Sequence, residues 1–139
     1  MIVIDTNVVS ELMKADPSAV VQAWVLGHGR DELRITAITV AEILYGIERL
    51  PKGKRRTALH TAGVEAFSRF ADEILPFDVA AATVYPEIVS RRERMGTPIS
   101  AYDAQIAAIC RTHDAGLATR NVRDFADVGV DLSDPWALG

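Results

Sequence analysis

The sequence predicts a three-layer α/β domain with a central, mainly parallel sheet, and three observations predict it. Of the 139 residues, 49% are hydrophobic and 24% charged, the proportions of a packed globular chain and not of a disordered one. Short β-branched or apolar runs alternate with longer segments of helical periodicity, the order of parallel strands joined by right-handed helical crossovers. Turn and cap residues follow the strand runs directly, so strands feed helices. A chain of this length buries roughly two-thirds of the surface its unfolded form exposes, and residues 1–139 are expected to form a single domain.

Ile2 to Ile4 is a β-branched run stopped by Asp5-Thr6-Asn7, which reads as a buried strand followed by a helix over Thr6 to Met13. Pro17 suits the start of a second helix, on which Val20, Val21, Trp24 and Val25 share one apolar face. Leu33 to Ile38 is the next strand. Thr39-Val40-Ala41-Glu42 then has the capping-box pattern that opens a helix carrying Ile43, Ile47 and Leu50 on one side, stopped by Pro51. Phe67, Phe70, Ala71 and Ile74 place another helix over Lys54 to Ile74. Leu75-Pro76-Phe77 is a third strand weakened by its proline, and Val79 to Met95 is a helix with a disturbance at Pro86. After Gly96-Thr97-Pro98, Ser100-Ala101-Tyr102-Asp103 repeats the capping-box pattern and opens a helix packed through Ile106, Ala107, Ile109 and Cys110. Gly116 to Thr119 is a fourth strand, Asn121 to Asp127 a loop, and Val130 to Leu132 a last strand before Asp134-Pro135-Trp136.

Four acids acquire meaning from this arrangement. Singly, Asp5 is explained as a helix cap, Glu42 and Asp103 as the closing residues of capping boxes, and Asp124 as a solvated loop residue. In a parallel α/β sheet, however, strand ends and the starts of the following helices share one edge, where such folds place their sites. Asp5, Glu42, Asp103 and Asp124 therefore converge there. Convergent carboxylates repel one another, so they bind protons more tightly or take up a cation. Oxygen-only ligands suit Mg²⁺ or Mn²⁺ better than zinc, and no His-x-x-His, Cys-x-x-Cys or His-Glu-x-x-His pattern competes. Carboxylate-held ions of this kind commonly serve phosphodiester hydrolysis.

Other acidic-site chemistries fit less well. A dehalogenase-type phosphatase needs Asp-x-Asp after the first strand, but position 7 is Asn; a receiver domain needs a late Lys, yet lysines occur only at 14, 52 and 54. Gly27-His28-Gly29 lacks the strand and glycines of a phosphate loop. His28, His60 and His113 lack the spacing of metal ligands.

Ile4-Asp5-Thr6-Asn7, Thr39-x-x-Glu42-Ile43-x-x-Gly46, Pro98-Ile99-x-x-x-Asp103-x-x-Ile106-Ala107-Ala108 and Thr119-Arg120-Asn121-x-x-Asp124-Phe125, in this order, resemble the PIN-domain ribonucleases, and within them the VapC and FitB-like toxins of toxin–antitoxin pairs. The resemblance spans nearly the whole chain and ends with Asp134-Pro135-Trp136, similar to the Asn-Pro-Trp of FitB-like members. It implies a Mg²⁺- or Mn²⁺-dependent endoribonuclease that forms a homodimer and is held inactive by a cognate antitoxin. By position, Asp5 and Asp103 match the family's best-defined metal ligands, and Glu42 the acid that completes the cluster. Asp124 is taken as the fourth acid; Asn121, where FitB-like sequences often carry Asp, is a polar support, with Asn7 and Thr119 as hydrogen-bond partners of the acids. Two alternatives stand beside this reading: a non-catalytic module that docks a basic partner peptide, and a nuclease specific for structured DNA.

The net charge of −4 excludes nucleic-acid binding by bulk charge, so RNA must be received locally. Arg49, Lys52, Lys54, Arg55 and Arg56 form a cluster uninterrupted by acid and are the candidate RNA contacts; Arg91, Arg92 and Arg94 form a second. Either cluster has solvation or ion pairing as its plainer use. Tyr45 and Tyr102, beside motif residues, can stack on a base or pack into the core. One cysteine, Cys110, cannot form an internal bridge, which suits a reducing compartment. The longest run without a charged residue, Pro17 to Gly29, is 13 residues, too short for a membrane span. With no signal-peptide pattern at the amino terminus, a cytoplasmic location is expected.

Overall fold

A computed structural model describes residues 1–29, 31–70 and 73–137. Among the described residues the four strands are β1 (Ile2–Ile4), β2 (Leu33–Arg34), β3 (Gly116–Ala118) and β4 (Leu132–Ser133), all parallel, in the order β2-β1-β3-β4. In register, Ile2 pairs with Leu33 and Gly116, and Leu117 pairs with Leu132. Among the described residues, six helices surround the sheet: α1 (Thr6–Leu12), α2 (Ala19–Leu26), α3 (Ala37–Glu48), α4 (Lys54–Phe70), α5 (Val79–Arg94) and α6 (Ala101–Thr112). A short 3₁₀ helix over Val122–Phe125 interrupts the predicted loop.

The three layers follow from side-chain alternation along β1. Val3 points into a core with Ile88 of α5, Ile106 and Ile109 of α6, Leu117 and Phe125. Its neighbour Ile4 points to the opposite face, among Val8 and Val9 of α1, Val21 of α2, Ile43 and Ile47 of α3 and Phe70 of α4. Each face of the sheet is therefore sealed by helices, as a parallel sheet requires. Trp24 packs against the second core, as its helical spacing predicts.

Several boundaries differ from the sequence expectation. The strand predicted over Leu33 to Ile38 ends at Arg34, and α3 starts at Ala37 because the Thr36 side chain caps it, accepting from the Thr39 amide at 3.2 Å. Thr39 is thus inside the helix, and Glu42 sits in its second turn instead of closing a capping box. The predicted third strand contracts to one parallel bridge, Thr36 with Leu75, since Pro76 has no amide to continue the ladder. Of the predicted Lys54–Ile74 helix, α4 runs to Phe70; Ala71 lies outside the described residues, and Ile74 is non-helical. α5 continues through Pro86 and ends with Gly96 at φ +76°, a left-handed position that favours glycine. The last strand falls one or two residues later than predicted. Among the described residues, no helix is long and apolar enough to cross a membrane.

Candidate active site

Parallel topology brings the carboxyl ends of β1 and β3 together with the amino end of α6, which returns to the same edge. Asp5 follows β1 as the cap of α1, and Thr119 follows β3. Asp103 lies in the first turn of α6, whose cap Ser100 accepts from the Asp103 amide at 3.2 Å. That part of the capping-box reading holds.

Asp5 is buried, and its two oxygens have separate partners. Oδ1 accepts from the Thr6 amide at 2.8 Å and Oδ2 from the Thr119 hydroxyl at 2.8 Å. Thr119 is fully buried and uses its whole hydrogen-bonding capacity: it donates to Asp5 and accepts from Asn7 Nδ2 at 3.3 Å and the Asn121 amide at 3.0 Å. Asn7 also accepts the Arg120 amide at 3.4 Å through Oδ1, which ties α1 to the segment after β3. Asn121 supports this arrangement through its backbone, while its side chain is exposed. Glu42, half-buried, accepts from the Thr6 hydroxyl at 2.9 Å.

The electrostatics tie the four acids into one group. Burial pushes the Asp5 carboxyl above its ordinary range against the pull of its hydrogen bonds, and the charges of Glu42 and Asp124 add to the effect. Glu42 is raised by burial, with a further push from Asp103. Asp103 is pushed up to about 6, first by burial and then by the charge of Asp5, with a smaller push from Asp124. Among the described residues, no group of three or more His, Cys, Asp or Glu side chains stands arranged so that it could hold a metal ion. Asp5, Glu42 and Asp103 are carboxylates whose ionised forms burial disfavours, and oxygen donors are the ligand type that Mg²⁺ or Mn²⁺ takes.

A match to the PIN-domain family model covers residues 2–131. The chain belongs to the PIN-domain family. Among PIN relatives, the VapC ribonuclease Y4jK of Sinorhizobium fredii is 39% identical over 98% of both chains. Toxin FitB of Neisseria gonorrhoeae is 36% identical over 98% of this chain and 99% of its own. A solved structure of FitAB bound to an IR36 DNA fragment superposes with a TM-score of 0.91 at 36% identity, covering 100% of this chain and 98% of that one. These likenesses place the chain in the VapC and FitB toxin group of PIN domains.

Within this PIN fold the basic residues divide. Lys52 and Arg56 line a groove of about 580 Å³ between α3 and α4 that no acid of the cluster borders, and Arg56 pairs with Glu48 at 2.6 Å. Arg49 lies over the Tyr45 ring at 5.6 Å. Arg55, with Lys14, instead borders a groove of about 380 Å³ whose wall includes Thr6 and Glu42. Arg92 cannot serve as a surface contact. It is buried, donating through Nε to the Thr97 carbonyl at 2.6 Å and through Nη1 to the carbonyls of Asp124 at 2.7 Å and Ala126 at 3.1 Å. This guanidinium holds the backbone of the segment that carries Asp124, a role invisible in a run of arginines. Tyr45 and Tyr102 are 63% and 54% exposed, which removes core packing as their explanation. Sequence reasoning missed the hydroxyl of Thr6, although it stands inside the Asp-Thr-Asn motif.

Proposed function

We propose that this PIN domain is a Mg²⁺- or Mn²⁺-dependent endoribonuclease that hydrolyses RNA phosphodiester bonds and acts as the toxin of a toxin–antitoxin pair, as a homodimer restrained by a cognate antitoxin. The observation that carries the reading is the acid group at one sheet edge, with Asp103 displaced to about 6 by burial and by Asp5. Asp5, Glu42, Asp103 and Asp124 are the residues that would hold the ion. When bound, the ion supplies positive charge for the phosphate and Lewis acidity toward water. The chain's own part is orientation: Thr6 and Thr119 fix both oxygens of Asp5, and Arg92 fixes the backbone that presents Asp124. Arg55 lies on the groove that reaches Glu42, where it can receive a phosphate flanking the cleaved bond. A cationic antitoxin side chain entering the acid cluster would compete with the ion for the same oxygens. Names of the relatives, a VapC ribonuclease and a toxin, agree with the reading.

The test is to sequence RNA ends after brief expression of wild type beside Asp5→Asn. New ends at defined positions with wild type alone are expected, together with growth arrest that the variant lacks. Equal ends from both proteins would overturn the assignment.

A further inference from the structure

Asp5 and Glu42 come from different elements, β1–α1 and α3, and one residue is bonded to both. The Thr6 amide donates to Asp5 Oδ1 at 2.8 Å, and the Thr6 hydroxyl donates to Glu42 Oε1 at 2.9 Å. That hydroxyl is also 3.0 Å from the Thr39 hydroxyl. A hydroxyl has one proton. With an ionised Glu42 able only to accept, the Thr6 proton is committed to the carboxylate, so the proton shared between the two threonines must come from Thr39. The order is fixed as Thr39 to Thr6 to Glu42.

Thr39 is fully buried, one helical turn before Glu42 on α3, and its own amide is held by the Thr36 side chain at the helix cap. A buried hydroxyl aimed at a second hydroxyl polarises it, and such chains strengthen each bond along them. We propose that Thr39 and Thr6 form a hydroxyl relay that positions Glu42, at a fixed separation from Asp5, for divalent-cation binding. The inference rests on the metal site proposed above. Thr6 and Thr39 are positioning residues: neither is proposed to touch the ion. The relay crosses the junction of α1 and α3, so it converts the packing of two helices into a set spacing between two carboxylates.

The experiment measures Mn²⁺ binding to the RNA-free full chain by calorimetry for wild type, Thr6→Val, Thr6→Ser, Thr39→Val and Thr39→Ser, with melting temperatures recorded in EDTA. Loss of a partner that orients a metal ligand weakens metal binding by about 10–100-fold, and this is expected for Thr6→Val. Thr39→Val, one bond further away, is expected to weaken it by about 3–10-fold. Both serine variants keep the hydroxyl and are expected to bind within about twofold of wild type. In cleavage assays the Mn²⁺ concentration for half-maximal rate should rise in both valine variants, with a smaller loss of rate at saturating Mn²⁺. A wild type that binds Mn²⁺ and valine variants that match it overturn the relay alone, even if they melt earlier, because that result makes the threonines merely structural. Serine variants as weak as the valines also overturn it. A wild type that binds no Mn²⁺ overturns the proposed function and the relay together.

Discussion

Replacing Asp103 by Asn should stabilise the metal-free protein at neutral pH. An unfolded aspartate ionises near 3.8, whereas Asp103 in the fold is pushed up to about 6. Between those values the native state holds a proton that the unfolded chain has lost, so stability falls as pH rises through that window and the penalty persists above it. A displacement of this size is worth about 3 kcal/mol for a fully enclosed group; Asp103 is only partly enclosed, and solvent screening brings the expectation to ~1–2 kcal/mol. Asn keeps the shape and the backbone amide that Ser100 accepts, while removing the charge that Asp5 and Asp124 oppose. The assay is urea unfolding in EDTA at a series of pH values from 4.5 to 8 for wild type and Asp103→Asn. Wild type should lose stability up to about pH 6 and then level off, and the variant should vary less and be the more stable protein at pH 7.5. Saturating Mn²⁺ should reverse the order by stabilising wild type alone. A variant less stable than wild type in EDTA at pH 7.5 would refute the electrostatic reasoning.

Three further outcomes test other parts of the site. Arg92→Met should destabilise the fold by roughly 2–4 kcal/mol, because it leaves the carbonyls of Thr97, Asp124 and Ala126 without their charged donor; a denaturation midpoint equal to wild type would remove its bracing role. Thr119→Val should cost about 1–3 kcal/mol and lower cleavage, since Asp5 Oδ2, Asn7 and the Asn121 amide all lose their shared partner. Both effects are read by unfolding and by RNA cleavage side by side. Arg55→Glu should weaken RNA binding to a catalytically dead Asp5→Asn protein more than Lys52→Glu does, because only the Arg55 groove reaches Glu42; filter binding at two salt concentrations checks the order.

How much of this was legible in the sequence depends on the range of the interaction concerned. Strand β1, the Asp5 turn and the Ser100-capped start of α6 were legible because β-branched runs and cap residues act within a few residues. That the Asp5 turn after β1 and the amino end of α6 with Asp103 share one sheet edge was legible from the order of elements alone, since a parallel sheet leaves one place for its strand ends. Thr39 has the look of a cap because Glu42 stands three residues on, but Thr36, which itself bridges to Leu75, wins that position through a contact 39 residues away in sequence. Arg92 was illegible for the same reason: its acceptors lie up to 34 residues away, and its neighbours Arg91 and Arg94 carry the same side chain outward into solvent.

The net charge of −4 first argued against a nucleic-acid substrate, and the structure gives that charge a different meaning. An acid group held by buried partners is a cost to the fold: burial raises Asp5, Glu42 and Asp103, and their charges oppose one another. Two sealed cores, one on each face of the sheet, supply the stability that lets this group persist. Adding basic residues inside the cluster would lower the cost by satisfying the carboxylates, and would equally remove the oxygens that a cation needs. Arg92 is turned instead to the backbone carbonyls of Asp124 and Ala126, and Arg55 lies on the groove that Glu42 also lines. Under the proposed function phosphate is attracted through an ion, and positive charge kept off that ion's ligands is compatible with the chain's net charge of −4.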